Sequence, residues 1–162
     1  AKQVPVLINY TCRVKRKGKW KYERSEKLPD KSDLDLIDKI SRMDLPYWYP
    51  TIELPLGYNT EQPKRSHGIS HVHHFYTKRN LWVLSLLRKK IENHPMLLIW
   101  LTSSLIRTTK MYKFTLDRKM GTVSGTLYIP SLWTENVAFK LLRTKLNDFS
   151  KIFSQKRYIV II

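Results

Sequence analysis

Hydrophobic and polar residues alternate near the start of the chain in a way that is typical of β-strands. Residues 4–12 are rich in β-branched and aromatic side chains, which favours a strand. Residues 17–19 read Lys-Gly-Lys, a turn signal, and residues 20–23 alternate again like a returning strand. We therefore expect a basic β-hairpin within residues 1–27.

Helical spacing of apolar residues appears further along the chain. Residues 30–43, 78–93 and 134–153 each carry an apolar stripe with a helical period. Residues 96–106 are nearly all apolar, so they fit a buried helix or a central strand. Residues 121–130 read as a strand that is entered through a glycine turn.

These segments predict an α+β fold. We expect a single domain with a basic β-hairpin, a small mixed sheet and three to four helices. Side chains that favour helix N-caps lie at or near the starts of the helical segments: Ser32 or Asp33, then Thr77, then Thr134.

The predicted domain covers residues 1–162. Residues 44–66 hold four prolines and several aromatic residues, which predicts an ordered loop. Residues 67–162 then form a core of helices and strands. The first residue is not Met, and residues 158–162 form an apolar strand at the terminus, so we expect a segment of a longer protein.

The strong positive net charge of the chain indicates a negatively charged partner. The 162 residues include 30 Lys and Arg against 13 Asp and Glu, a formal net charge of +17. Such a balance points to a polyanion, most often nucleic acid; a ribosomal-type protein and an anionic membrane surface are alternatives. No apolar run is long enough to cross a bilayer. The single cysteine, Cys12, excludes an internal disulfide framework and fits a cytoplasmic protein.

Cations concentrate at three candidate sites for nucleic acid. The hairpin cations either contact phosphates or protect an exposed sheet edge. Two cations at the start of the second helix oppose its dipole unless an anion binds there; the alternative is that both extend into water. A later basic stretch with interleaved aromatic residues is either a contact segment or a mobile loop. The candidate residues are Lys15, Arg16, Lys17, Lys19, Lys78, Arg79, Asn80, Lys110 and Lys113.

Aromatic and histidine residues form two further clusters. Tyr47, Trp48 and Tyr49 are a possible base-stacking platform, although packing on the core is the favoured interpretation. Four histidines lie within residues 67–74, but the absence of a nearby cysteine or a third ligand at defined spacing argues against a metal site. No residue pattern indicates a catalytic centre, a cofactor site or a nucleophile motif.

Four ordered blocks resemble the middle portion of bacterial and phage DNA methylases that use S-adenosylmethionine. Together they cover about residues 4–140, and residues 68–81 (GISHVHHFYTKRNL) are the most specific. The other blocks are residues 5–12 (PVLINYTC), 47–51 (YWYPT), and 125–131 (GTLYIPS) with 135–137 (ENV).

The resemblance implies a target-recognition insert between the cofactor and catalytic halves of a site-specific methyltransferase. The parent would bind S-adenosylmethionine and methylate an exocyclic amino group of a base, as in restriction–modification enzymes. The family's glycine-rich cofactor motif and its Asp-Pro-Pro tetrapeptide are missing from this chain. The resemblance therefore implies no cofactor and no activity for the segment alone, with double-stranded DNA and the parent's remaining halves as partners.

Three other functions remain open on the sequence. An RNA-binding or ribosomal-type module would stack single-stranded bases on its aromatic residues. A protein-binding insert would use its charge only to steer association. A metal-dependent nuclease would use the histidines.

Overall fold

The computed structural model describes residues 3–116 and 121–154, with the backbone alone for residues 152–154. Its internal contacts group the chain into two compact units, residues 1–43 (unit 1) and 44–162 (unit 2). The α+β class is confirmed. Five α-helices lie in the described residues, against the three to four predicted. The α-helices are α1 (Lys31–Arg42), α2 (Tyr58–His67), α3 (Lys78–Lys90), α4 (Pro95–Thr102) and α5 (Ala138–Ser154).

The predicted basic hairpin is confirmed in unit 1. Strand β1 (Ile8–Arg16) pairs with β2 (Lys19–Lys27) in an antiparallel ladder. Lys17 and Gly18 form the two-residue turn, with φ of 50° and 75°. A two-residue turn with both φ values positive matches the right-handed twist of the strands, which fixes their register. The first strand starts four residues later than the sequence pattern predicted.

Helix α1 begins with a reciprocal capping box rather than the predicted Ser32 or Asp33 cap. The Asp30 carboxylate accepts a hydrogen bond from the Asp33 N–H at 3.0 Å, and the Asp33 carboxylate accepts one from the Asp30 N–H at 3.0 Å. Lys27 pairs with both carboxylates at 2.8 and 2.7 Å. These hydrogen bonds raise the pKa of Lys27 above its usual range.

The predicted loop at residues 44–66 is wrong in its second half. Helix α2 occupies Tyr58–His67 and contains the buried Pro63. The helix ends soon after this proline at Gly68, whose φ of 67° places it in the left-handed region that favours glycine. The prolines excluded a long helix but not a short one.

The core of unit 2 is helical. Buried side chains of α3, α4 and α5 pack together, and the Trp100 indole N–H donates to the Leu142 carbonyl at 3.2 Å. Residues 96–106 are therefore helical rather than a strand: α4 is followed by a 3-10 turn at Leu105–Thr108. Thr77 caps α3 as predicted, since its hydroxyl accepts from the Asn80 N–H at 3.2 Å. The buried residues of this cluster are Leu84, Ile91, Trp100, Leu101, Ala138 and Leu142.

Other predicted strands of the mixed sheet do not form in the described residues. The described sheet has two antiparallel strands, and residues 121–130 have irregular backbone with one bridge from Gly121 to Lys113. Ile129 from this segment packs with Ile69 and Phe75 in a second, smaller core cluster. The predicted terminal strand at residues 158–162 lies outside the described residues.

Thr134 does not cap the last helix. Helix α5 begins at Ala138, four residues further on, and the Ala138 N–H donates to the Asn80 side-chain carbonyl at 3.1 Å. A side chain of α3 therefore accepts a hydrogen bond at the N-terminus of α5, where the sequence predicted a cap by the nearby Thr134.

Candidate nucleic-acid interface

The two sides of the hairpin differ in how far their side chains are exposed to solvent. Because directly opposite residues of an antiparallel pair share a face, the register divides the hairpin into two sides. On one side, all eight side chains are exposed. On the other side, Ile8, Cys12 and Val14 are half-buried. The exposed side carries Asn9, Thr11, Arg13, Lys15, Trp20, Tyr22, Arg24 and Glu26.

Predicted phosphate-binding residues cluster at the hairpin tip. Lys15, Arg16, Lys17 and Lys19 surround the turn, and each is exposed. Arg16 is held by Glu23, with an Nε–Oε1 distance of 2.7 Å. An exposed ion pair of this kind contributes little stability, so the guanidinium stays accessible to an external anion.

The start of α3 carries its own anion. Arg79 contacts the Glu135 carboxylate at 2.9 and 3.1 Å, and the Thr77 hydroxyl donates to the same carboxylate at 2.5 Å. Two cations at a helix N-terminus oppose the helix dipole, so a nearby negative charge stabilises them. The Glu135 carboxylate, 56 residues from Arg79 in sequence, provides that charge. An internal ion pair with Glu135 therefore takes the place of the external phosphate predicted at Arg79. The preceding residue, Lys78, is half-buried.

Asn80 is a structural residue, although it belongs to the predicted set of nucleic-acid-binding residues. Its side chain is 1% exposed. The amide nitrogen donates to the Thr108 carbonyl at 3.0 Å and to the Asn136 carbonyl at 2.8 Å. The amide oxygen accepts from the Ala138 N–H. With both N–H groups and the oxygen engaged inside the fold, Asn80 has no surface to offer a nucleic acid.

The two candidate lysines of the later basic stretch, Lys110 and Lys113, differ in their burial and contacts. Lys110 is half-buried, and its ammonium donates to the His74 carbonyl at 2.9 Å. Burial lowers the pKa of Lys110, and the nearby Glu135 carboxylate opposes that effect. Lys113 is exposed and forms backbone bridges with Gly121 and Trp133. Lys113 thus remains a candidate phosphate contact, whereas Lys110 is committed to the fold.

The aromatic platform at residues 47–49 does not form as a unit. The Tyr47 ring packs edge-on against Trp82 at 6.2 Å between centroids, and Tyr49 packs against His73 at 5.6 Å. Only Trp48 among the three is exposed, at 70%. Packing on unit 2 therefore accounts for the two tyrosines, which is the interpretation that the sequence favoured.

The histidines form a compact cluster in unit 2. Ring centroids of His71, His73 and His74 lie 4.3–5.5 Å apart. The His74 Nδ1 accepts from the Ser70 N–H at 3.3 Å, and the His71 Nδ1 lies 2.9 Å from the Ser70 hydroxyl. Among the residues that the structure describes, no group of three His, Cys, Asp or Glu side chains is arranged to hold a metal ion.

Burial favours the neutral forms of His73 and His74. Removal from water is the largest cause that lowers the pKa of His73 and of His74. Neighbouring imidazoles add to the effect in both cases, together with Lys78 near His73 and Lys110 near His74. The His73 Nδ1 is buried without a hydrogen-bond partner.

Acid should therefore destabilise unit 2. An unfolded histidine titrates near about pH 6.5, so a lower folded pKa means that the unfolded state binds more protons below that value. We expect the stability present above about pH 6.5 to fall as the pH drops through the depressed pKa values. His73→Phe should weaken this fall, because it removes one titrating ring and one unpartnered nitrogen while keeping an aromatic side chain.

Thermal unfolding followed between pH 7 and about pH 5 checks this expectation. His94→Gln, which replaces an exposed imidazole, is the control and should leave the pH dependence of the melting temperature close to that of the wild type. Equal pH dependence in wild type and His73→Phe would contradict it.

The sequence pattern did not identify two features of the structure, the ion pair of Glu135 and the exposed aromatic pair Trp20 and Tyr22. Glu135 was noted only as part of a resembling block, yet it neutralises Arg79 and binds Thr77. Trp20 and Tyr22 were assigned only to a strand, although alternation places both on the exposed side. The strand period was the signal that could have found the aromatic pair.

None of the described helices is long and apolar enough to span a bilayer.

Comparison with known proteins adds no further identification. No protein-family model matches the chain, and no curated protein sequence or solved structure matches it.

Proposed function

We propose that this chain is the DNA-binding, target-recognition segment of an S-adenosylmethionine-dependent DNA methyltransferase. The observation that carries the proposal is the exposed cationic hairpin, whose tip residues Lys15, Arg16, Lys17 and Lys19 are all accessible. Cations in such an arrangement neutralise phosphates and grip a duplex. The net charge of +17 supports the same class of partner.

The methyltransferase part of the proposal rests on the resemblance of the four sequence blocks. The segment itself lacks the cofactor and catalytic motifs, so S-adenosylmethionine would be held by the remaining halves of the parent. A methyltransferase that acts on a base must hold the duplex and extrude the target nucleotide. The role that we assign to this segment is the hold on the duplex, in a cytoplasmic parent enzyme.

Competition between duplex DNA and RNA tests this proposal. The chain is bound to a labelled DNA duplex near physiological salt, and unlabelled duplex DNA or duplex RNA of equal length is added. We expect DNA to displace the label at lower concentration than RNA. Stronger displacement by RNA would favour the RNA-binding module instead, because A-form RNA presents a different groove and its 2′-hydroxyls.

A further inference from the structure

The exposed side of the hairpin combines aromatic rings with cations. Trp20 is 56% exposed and Tyr22 is 76% exposed, two positions apart on β2. Arg13 and Lys15 lie opposite them on β1, and Arg24 follows on β2. These five residues are called the aromatic–cation face. Large aromatic side chains usually gain stability by burial, so two exposed rings on one sheet face suggest a surface that a ligand covers.

We propose that the aromatic–cation face binds an unpaired DNA strand, with bases stacked on Trp20 and Tyr22 and phosphates held by Arg13, Lys15 and Arg24. The choice of DNA rather than RNA rests on the proposed function. Aromatic rings stack on any base, while cations beside them track the backbone.

Spacing favours an unpaired strand over a duplex. Residues two positions apart on a strand are separated by about 6.7 Å, whereas stacked bases of a duplex rise about 3.4 Å each. In addition, the faces of paired bases are covered by their neighbours in the stack. Two rings at the strand spacing therefore match bases of an extended strand, such as one that has been opened around an extruded nucleotide.

Arg13 already stacks on the indole. Its guanidinium carbon lies 4.7 Å from the centre of the Trp20 ring. A cation–π contact of this kind orients the indole and covers one of its two faces, so a base would stack on the opposite face. The face thus holds a ring and a phosphate-binding cation next to each other before any ligand arrives.

Affinity for single-stranded DNA tests the assignment. A labelled oligothymidylate and a labelled duplex are titrated with the wild type and with Trp20→Ala/Tyr22→Ala. Because stacking contributes about 1–3 kcal/mol per base, the double variant should bind the single strand at least about 30-fold more weakly. Its affinity for the duplex should stay within about twofold, since duplex bases do not reach the rings.

A matched control is available in unit 2. Leu56 and Tyr58 are 87% and 89% exposed, so Leu56→Ala/Tyr58→Ala removes two large exposed side chains, one of them a tyrosine, from another surface. This control should retain single-strand affinity. Trp20→Phe/Tyr22→Phe keeps an aromatic ring at both positions and should retain most of the binding. This variant shows whether the loss in the alanine variant comes from missing aromatic rings.

Three results would overturn the proposal. One is wild-type single-strand affinity in Trp20→Ala/Tyr22→Ala, and another is an equal loss for single strand and duplex. The third is tighter binding of single-stranded RNA than of DNA at this face. Failure of the proposed function gives a different result, because the wild type would then not bind the duplex at all.

Discussion

Replacing Asn80 with alanine is expected to destabilise unit 2 by about 3–5 kcal/mol. The change removes three side-chain hydrogen bonds, to the Thr108 and Asn136 carbonyls and from the Ala138 N–H. Each buried backbone group left without a partner costs about 1–3 kcal/mol. The site is almost closed to solvent, so water cannot readily replace the amide.

The expected effect is large because Asn80 joins three segments that are far apart in sequence. It lies in the first turn of α3, and its partners are at the end of the Leu105–Thr108 turn and at the start of α5. Loss of these bonds would loosen the end of α5 that packs Ala138 and Leu142 into the core.

Chemical denaturation followed by circular dichroism measures this effect. Asn59→Ala is the matched control, because Asn59 is exposed on α2, and its stability should stay within about 0.5 kcal/mol of the wild type. Asn80→Asp should also be destabilised, since a carboxylate cannot donate to the Thr108 and Asn136 carbonyls. An Asn80→Ala variant as stable as the wild type would contradict the structural role.

Removing the cations at the hairpin tip is expected to weaken duplex binding by about three orders of magnitude in 0.1 M salt. Each phosphate contact contributes about −0.9 to the slope of log K against log salt, so at 0.1 M salt four contacts are worth more than about 10³-fold. The variant is Lys15→Gln, Arg16→Gln, Lys17→Gln and Lys19→Gln combined, and the measurement is fluorescence anisotropy with labelled duplex.

An equal charge change elsewhere provides the control. Lys64, Arg65, Lys89 and Lys90 are also exposed, and they too comprise three lysines and one arginine. Both sets include cations that pair with a glutamate. The Lys64→Gln, Arg65→Gln, Lys89→Gln and Lys90→Gln variant should lose far less affinity. Similar losses in both variants would show that net charge matters and the hairpin does not.

Features set by local sequence were predicted well. The hairpin follows from strand alternation and a two-residue turn, and Thr77 precedes α3 with a side chain that reaches the first free N–H groups. Exposed cations are likewise local properties, so the hairpin tip was a sound prediction of accessible charge.

Features set by distant partners were not predictable in this way. Nothing near Asn80 in sequence indicates that its amide meets Asn136, and nothing near Arg79 points to Glu135. Both residues therefore looked like free polar groups at a helix start. Residues 121–130 have the composition of a strand, but a strand needs a neighbour to pair with, and the structure offers this segment only an isolated bridge.

The salt dependence of duplex binding tests the central claim most directly. The full chain is titrated with a labelled DNA duplex over a series of salt concentrations, and log K is plotted against log salt. The four hairpin cations, with Lys113 as a further exposed candidate, predict a slope of about −4. A flat plot, or no binding even at low salt, would contradict the account that this hairpin grips DNA through its phosphates.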